Sequence, residues 1–293
     1  LNEKLKKFFK LFLPGVVGSG VIQLNIVIGT IIASFLPVGA ISHIYYADRL
    51  NQLPLAIFGI ALGIVLLPSL SKAIKQSDQE TTNNIQNRSI EFSLLISLPS
   101  AIGLFILAEP IIQILFERGA FVKEDTFYTA KVLSYFALGL PAYIIIKVLV
   151  SCFFAREDTK TPLYISIVSV ITNVVLSLLL IGSMREMGIA VATAISAWVN
   201  ALLLYLFLAI RNHMKFDDLL VKNSIKILLS SFLLFVGIYL LNGLFFTNIS
   251  SNSVLLNSAL LLLMIFLAII IYFGLVIVLK VLSVNQLREY LKK

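Results

Sequence analysis

Charged residues are scarce in this chain, at 13% of its 293 residues, whereas apolar residues make up 59%. Soluble domains contain roughly 25% charged residues, so this composition excludes a soluble globular protein and indicates a membrane protein with several spans. The single cysteine, Cys152, excludes an internal disulfide and a cysteine-rich metal site. The two histidines, His43 and His213, fall in segments that we predict to be different loops, and they lack the spacing of a zinc-protease motif.

The chain also lacks the motifs by which soluble enzymes hold nucleotides or activate a nucleophile. It contains no phosphate-binding loop, no dinucleotide-binding fingerprint and no nucleophile elbow. The sequence therefore predicts no catalytic residue, no cofactor and no metal. The net charge of +8 does not indicate nucleic acid as a partner, because the basic residues are spread over short segments between apolar runs.

Eight apolar runs are long enough to cross the roughly 30 Å hydrocarbon core of a bilayer as helices. They predict an all-α, polytopic membrane protein with about eight transmembrane helices. The runs cover residues 11–36, 45–70, 89–107, 127–153, 163–181, 189–210, 225–245 and 254–279.

The segments between these runs give further expectations. Polar residues 71–88 predict the longest loop, and residues 108–121 are too short an apolar piece to cross, so they predict a re-entrant or interfacial turn. Thr161 followed by Pro162 predicts an N-cap and the first helical position of the fifth span. The tight connection between the fifth and sixth spans leads into a stretch of small residues that predicts close helix packing.

Basic residues fall mainly on one side of this predicted topology. With eight spans both termini share a side, and the opposite side holds Arg118, Lys123 and Arg185. Because positively charged loops stay in the cytoplasm, the pattern predicts that both termini are cytoplasmic. The basic segments on the side of the termini are residues 1–10, 71–88, 154–162, 211–226 and 280–293.

Asp48 and Arg49 stand next to each other near the start of the second span. Charges are unfavourable there, so we take both residues as candidates for function. Neighbouring residues on a helix point about 100° apart, so the two side chains need separate partners. In one interpretation Arg49 reaches the outer interface beside Tyr45 and Tyr46. In the other, Arg49 faces a water-filled cavity, where its planar guanidinium binds an anion such as phosphate.

Four more residues complete the candidate substrate-binding set: Tyr46, Gln23, Asn25 and Lys147. Gln23 and Asn25 are polar within the first span, where hydrogen bonding between helices is the alternative interpretation. Lys147 lies a few residues from the cytoplasmic end of the fourth span, so it can also reach the interface. The first, fifth and sixth spans carry no carboxylate at mid-depth, so the sequence indicates no acidic cage for a coupling sodium ion or proton.

Five segments of the chain occur in a characteristic order within about residues 12–162. They are Q-L-N-I-V-I-G-T-I-I-A-S-F-L-P, Y-Y-A-D-R-L-N-Q-L-P-L-A-I-F-G-I-A-L-G-I-V-L-L-P-S-L-S, L-F-E-R-G-A-F, G-L-P-A-Y-I-I-I-K-V-L and F-F-A-R-E-D-T-K-T-P. Together they resemble the MurJ/MviN family of bacterial lipid II flippases. A further stretch, G-I-A-V-A-T-A-I-S, is similar to a motif of the wider superfamily of multidrug, oligosaccharidyl-lipid and polysaccharide exporters.

The resemblance implies a V-shaped transporter with two six-helix lobes and two extra helices. Such a transporter carries undecaprenyl-pyrophosphate-linked peptidoglycan precursor across the bacterial inner membrane by alternating access, for cell wall biogenesis and cell shape. The arginine of Y-Y-A-D-R, here Arg49, would line its central cavity.

The family has fourteen spans, so this chain would correspond to the C-terminal portion. Residues 1–210 would form a six-helix lobe, and residues 211–293 would form the extra helix pair with a basic cytoplasmic tail. The partners implied are the lipid-linked precursor, the bilayer and a missing N-terminal six-helix lobe.

Two other functions stay open at this point. A membrane-embedded enzyme acting on a polyprenyl phosphate would need acid and base residues in a sizeable outer loop, and the outer loops predicted here are short. A non-transporting fragment of a flippase is the second. We expect the upstream coding sequence to distinguish a split flippase from such a remnant.

Overall fold

A computed structural model describes residues 3–246 and 254–281, in which α-helices are joined by turns and short loops. Side chains within these ranges are described except at residues 3–8, 10, 11, 13, 14, 19, 22, 58–64, 244–246 and 254. The predicted basic tail lies outside the described residues from residue 282 onward. The helices are α1 (Glu3–Ala33), α2 (Ala40–Lys75), α3 (Gln79–Ile106), α4 (Ala108–Phe116), α5 (Lys123–Ala137), α6 (Leu140–Phe154), α7 (Lys160–Met184), α8 (Glu186–Ile210), α9 (Asp218–Phe246) and α10 (Val254–Val278).

Seven segments among the described residues are long and apolar enough to cross a membrane. The predicted all-α, polytopic fold is confirmed, and α2, which is 36 residues long, coincides with the remaining predicted span. The seven segments are Gly15–Ala33, Gln79–Ile106, Lys123–Phe154, Lys160–Met184, Glu186–Ile210, Asp218–Gly243 and Leu255–Val278.

The prediction of a long loop over residues 71–88 is wrong. Helix α2 runs on to Lys75, and α3 begins at Gln79. The basic side chains of Lys72 and Lys75 lie in the last turn of α2, where they interact favourably with the helix dipole. Asp78 caps α3, because its carboxylate accepts the backbone N–H of Thr81 at 2.9 Å. Polar residues here extend two helices beyond the apolar region instead of separating them.

The predicted fourth span is two helices in series. Helix α5 ends at Ala137 and α6 begins at Leu140. Pro141 lies in the first turn of α6, where its missing backbone N–H costs no hydrogen bond within the helix. The carbonyl of Leu138 at this break accepts a hydrogen bond from the indole N–H of Trp198 on α8, at 3.0 Å. The break is therefore satisfied by a neighbouring helix, as a backbone interruption within a bilayer requires.

The predicted N-cap at Thr161 is also wrong, since α7 begins at Lys160. Asp158 is the residue that holds the start of α7. Its carboxylate accepts the backbone N–H of Thr161 at 3.0 Å and the Thr161 hydroxyl at 2.6 Å. Arg211, at the end of α8, donates to the same carboxylate at 2.6 Å, which joins the α6–α7 and α8–α9 loops.

Packing around α6 and between α7 and α8 positions the site. Helix α6 lies at the centre of the largest apolar cluster, which joins α2, α3, α6, α7 and α8 through buried side chains such as Leu70, Ile144, Phe153 and Leu204. Helices α7 and α8 pack closely along their length. Gly188 allows this approach, because a Cβ there would lie 2.8 Å from the carbonyl oxygen of Leu180. The prediction of close packing by small residues is confirmed.

Helices α9 and α10 attach to the rest of the chain through α3 and α4. Arg88 on α3 binds both carboxylate oxygens of Asp217, at 2.7 and 2.6 Å. Asn223 on α9 donates to Glu91 on α3 at 2.6 Å. Both bonds to Asp217 come from Nη2 of Arg88, and Nη1 of the same guanidinium pairs with Glu91, so these charged groups fix the start of α9 against α3.

The prediction that His43 lies in a loop is wrong. Helix α2 begins at Ala40, so His43 is helical, and its exposed fraction is 4%. An apolar run predicted the span from residue 45, but the helix starts earlier because Gly39 (φ 102°) turns the chain into it from the preceding loop.

Candidate functional site

One face of α2 supplies most of a polar pocket. Asp48, Asn51, Gln52, Leu55 and Ala56 recur at steps of three and four residues, so their side chains point in one direction. Three of the five are polar, which is unusual for a face turned toward other helices of a membrane protein. This face contacts α5, α6 and α8.

The neighbouring helices close the pocket, which has a volume of about 520 Å³. Helix α6 contributes Tyr143 and Lys147, one turn apart, while α5 contributes Phe136 and α8 contributes Thr193. The pocket therefore holds a carboxylate, an ammonium, two amides and two hydroxyls among membrane-crossing helices.

Several polar groups in the pocket can still accept or donate a hydrogen bond. Gln52 donates to the carboxylate of Asp48 through its side-chain amide. By contrast, the buried side-chain oxygen of Asn51 and the hydroxyl of Tyr143 have no hydrogen-bond partner within the described part of the chain. Unpaired polar atoms in a membrane interior are unfavourable, so the pocket is suited to water or to the polar part of a ligand.

Arg49 lies beside the pocket, and the described lining does not include it. The guanidinium lies over the ring of Tyr45, 4.6 Å from its centroid, and donates to the Tyr45 hydroxyl at 2.6 Å. Its side chain is exposed, one position after Asp48 and one turn before Leu53 on the exposed stripe of α2. Asp48 and Arg49 thus have separate partners, as their positions on a helix require.

The remaining predicted residues are dispersed. Tyr46 packs on Phe116 and Phe121, with ring centroids 4.7 and 5.6 Å away, which fastens α4 and the loop after it to α2. Gln23 is exposed on α1. Asn25 makes the bond between helices that its alternative interpretation expected, since its side-chain oxygen accepts from Asn173 at 3.2 Å.

Asn25 is connected to the pocket through other side chains. The Asn173 amide also lies 3.4 Å from the hydroxyl of Thr193, which lines the pocket. The structure therefore brings Asp48 and Lys147 together in one pocket, places Arg49 at its margin, and leaves Gln23 and Tyr46 elsewhere.

An apolar cavity of about 430 Å³ lies on the other side of α2. It is lined by Pro54 of α2 and by side chains of α3, α4, α9 and α10. The hydroxyl of Tyr272 donates to the carbonyl of Leu95 at 2.6 Å and ties α10 to α3 beside the cavity. Pro54 lies between Gln52 and Leu55 in the sequence but points about 200° around the helix from Gln52, so the two spaces lie on opposite sides of α2.

Sequence reasoning missed Asn51, Gln52, Tyr143 and Thr193. The spacing of Asn51 and Gln52 from Asp48 is a signal that could have found the first two. Tyr143 and Thr193 carry no such signal, because only the packing of α6 and α8 against α2 brings them to the pocket.

The family model described as "Lipid II flippase MurJ" matches residues 1–260 of the chain. The chain belongs to the MurJ family. With its membrane-crossing helices, it is a multi-pass bacterial membrane protein. The predicted resemblance is therefore confirmed. MurJ proteins are named as flippases, a class of transporter, so this match does not favour the polyprenyl-phosphate enzyme considered from the sequence.

Relatives in the MurJ family match most of this chain. A "Probable lipid II flippase MurJ" from Rhizobium tropici is 43% identical over 230 residues, covering 78% of this chain and 43% of that protein. One from Rickettsia prowazekii (strain Madrid E) is 40% identical over 270 residues, covering 92% of this chain and 53% of that protein. The chain spans about half the length of the relatives it matches.

A solved structure described as "Lipid II flippase MurJ, inward closed conformation" has the same fold. Its TM-score is 0.75 at 29% sequence identity, and the match covers 94% of this chain and 54% of that one. The helix arrangement described above therefore recurs in a MurJ flippase that is longer than this chain.

Proposed function

We propose that this chain forms one side of the pathway by which a flippase moves lipid II across the bacterial inner membrane by alternating access, without catalysing a reaction. The observation that carries the proposal is the polar pocket among membrane-crossing helices of a MurJ family chain. Lipid II is an undecaprenyl-pyrophosphate-linked peptidoglycan precursor. Its polar headgroup needs hydrogen-bonding groups along a path through the bilayer, and the pocket supplies them.

The cations beside the pocket are proposed to hold the pyrophosphate. Lys147 lies in the pocket, and Arg49 is one residue from Asp48 at its margin. A guanidinium can bridge two phosphate oxygens with parallel hydrogen bonds, whereas an ammonium acts as a point charge. Arg49 would leave the ring of Tyr45 to bind the anion. Asp48, paired with Gln52, would limit how tightly the anion is held, so that it can be released.

The apolar cavity is proposed to hold part of the polyprenyl tail. Its lining is almost entirely apolar, and it adjoins the polar pocket across α2. A lipid with a large headgroup and a long tail needs two such spaces side by side. Helices α9 and α10 form one wall of this cavity, which gives the proposed helix pair of residues 211–293 a function beside the six-helix lobe of residues 1–210.

The pathway is proposed to need a second lobe. Transporters of this kind bind substrate between two repeats and move one against the other. The chain covers about half of its relatives' length, which supports a second lobe as the partner. The resemblance to the family implies that this partner is the N-terminal six-helix lobe.

Substitutions at the two cations test the proposal in a flippase assembled from this chain and the N-terminal half of a longer relative. We expect Arg49→Ala and Lys147→Ala each to lower lipid II translocation about tenfold or more, because a hydrogen bond to a charged group contributes roughly 1.5–3 kcal/mol. The measurement is translocation of fluorescent lipid II in proteoliposomes. Arg118→Ala and Lys131→Ala are matched controls, since both side chains are exposed and absent from the described pocket lining.

Arg49→Lys distinguishes the two interpretations of Arg49. A lysine also reaches the interface, so an interfacial anchor predicts a normal rate for this variant. A bidentate phosphate contact predicts a clear loss, because the ammonium lacks the planar fork. Unchanged translocation by both alanine variants would contradict the proposed headgroup site.

A further inference from the structure

Three ionisable side chains meet where α2, α5 and α8 begin. The ring of His43 lies between two carboxylates: its Nδ1 is 3.0 Å from Oε1 of Glu186, and its Nε2 is 3.0 Å from Oδ1 of Asp125. The side chains of His43 and Glu186 are 5% and 0% exposed, whereas that of Asp125 is 29% exposed. None of the three belongs to the polar pocket lining described above.

The two contacts together determine how many protons His43, Asp125 and Glu186 hold between them. A ring nitrogen and a carboxylate oxygen at 3.0 Å form a hydrogen bond only when a hydrogen lies between them. A neutral imidazole carries one N–H, and an ionised carboxylate only accepts. Both contacts therefore exist together only when the three groups hold one proton more than a neutral ring and two carboxylates.

Two neighbouring side chains, Tyr128 and Arg185, face these three groups and contribute to their charge balance. From α5, the ring of Tyr128 stacks on His43, with centroids 5.7 Å apart. From the turn before α8, Nε of Arg185 lies 3.4 Å from Oε2 of Glu186, and Nη1 of Arg185 donates to the Tyr128 hydroxyl at 2.9 Å. The Arg185 charge offsets one carboxylate, so the additional proton on the ring offsets the other.

We propose that His43, Asp125 and Glu186, named here the histidine cluster, form a proton-binding site that ties the start of α5 to α2 and α8. When the proton leaves, the ring keeps its N–H toward Glu186, because a fully buried carboxylate without a donor is the most unfavourable state. The Nε2 proton passes to water past the partly exposed Asp125. The hydrogen bond between His43 and Asp125 is then lost, so it is present at low pH and disappears as the pH rises, while the apolar packing between α2 and α5 remains.

Loss of the hydrogen bond between His43 and Asp125 is expected to change the position of α5. The other carboxylate oxygen of Asp125 accepts the backbone N–H of Val122 at 2.8 Å, so this side chain also holds the first turn of α5. The same helix carries Phe136 into the wall of the polar pocket. Proton binding by these three side chains does not depend on whether the chain carries lipid.

The proton can be observed directly, because the chain contains two histidines. Histidine labelled with ¹⁵N in the full chain, reconstituted in nanodiscs, gives ring signals that separate imidazolium from neutral imidazole. A His213→Asn variant assigns them. We expect His43 to give imidazolium signals at a pH where His213 is already neutral, and to lose them as the pH is raised further. A bare ring nitrogen on His43 from about pH 5 to about pH 9 would overturn the proposal.

The mechanical consequence is measured with spin labels at residues 123 and 183, both exposed, in a Cys152→Ser background. We expect the distance distribution between them to lengthen or broaden as His43 loses its proton. In Asp125→Asn, the amide N–H can donate to a neutral ring, so the distribution should not change with pH. Glu124→Gln, which alters the neighbouring exposed carboxylate, should behave as the unmodified chain does. A pH-independent distance in the unmodified chain, or an Asp125→Asn response equal to it, would contradict the proposal.

Discussion

At the scale of single residues, His213 is held near two guanidinium groups in the α8–α9 loop. Arg156 donates to its backbone carbonyl at 2.9 Å. Burial lowers the pKa of His213 below its ordinary value of 6.5, and the charges of Arg156 and Arg211 lower it further, while Asp158 opposes them. As the pH falls below 6.5, the unfolded chain binds this proton first, so the free energy of unfolding decreases with acidification in that window.

We therefore expect His213→Gln to lose less stability than the unmodified chain between about pH 7 and about pH 5. The measurement is the midpoint of thermal unfolding of both proteins at each pH. Their difference removes the contributions of all other titrating groups, including the histidine cluster. A difference that does not vary with pH would show that His213 has the same protonation in the folded and the unfolded chain, and would contradict this prediction.

Side chains of the candidate site were predictable from the sequence where charge singled them out, or where spacing places them on the same helix face as Asp48. Asp48, Arg49 and Lys147 are unusual within apolar runs, and two of them lie in the pocket. Neutral polar residues such as Tyr143 are common in membrane helices and gave no signal. Glu186 was missed because its place beside Arg185 is typical of a polar turn, and only the fold brings His43 to it.

At the scale of helices, the contact between α7 and α8 depends on Gly188. A Cβ there would lie 2.8 Å from the carbonyl oxygen and 2.9 Å from the carbonyl carbon of Leu180, so backbone would have to move. We expect Gly188→Ala to destabilise the chain by about 1–3 kcal/mol through overpacking. Thermal unfolding in detergent measures the effect.

Gly182 on α7 is the matched control, because a Cβ at that position meets nothing within 4 Å. Gly182→Ala should be neutral or stabilising, since alanine favours a helix by about 1 kcal/mol over glycine. Equal effects of the two substitutions would mean that α7 and α8 do not pack as described.

The helices themselves were largely predictable, and their ends were not. Hydropathy marks the part of a helix that lies in the bilayer, so it located the spans. It does not mark where a helix continues into water, which is why residues 71–88 were mistaken for a loop. It also runs evenly across Leu138, where Pro141 and the indole of Trp198 allow one span to be two helices.

At the scale of the whole molecule, the distribution of basic residues predicts how the chain is oriented in the membrane. The prediction that both termini are cytoplasmic places the α2–α3 turn inside and the α7–α8 turn outside. We expect a cysteine at residue 183 to react with a membrane-impermeant thiol reagent in intact spheroplasts, and one at residue 79 to react only after permeabilisation. Both positions are exposed. Labelling of residue 79 in intact spheroplasts, with residue 183 labelled only after permeabilisation, would contradict the predicted topology.

The family and the overall architecture could be predicted because the family's motifs occur in order over about half of the chain. Transport is proposed to need a second lobe, and no residue of this chain by itself reveals that lobe. The polar pocket is walled by α2, α5, α6 and α8 and is proposed to face that lobe.

Lipid II translocation by the chain with and without that lobe tests the central claim most directly. Proteoliposomes would contain residues 1–293 alone, the N-terminal half of a longer relative alone, or both. We predict translocation only when both are present, with loss of that activity in Arg49→Ala. Translocation by residues 1–293 alone, at the rate of the pair, would contradict the account.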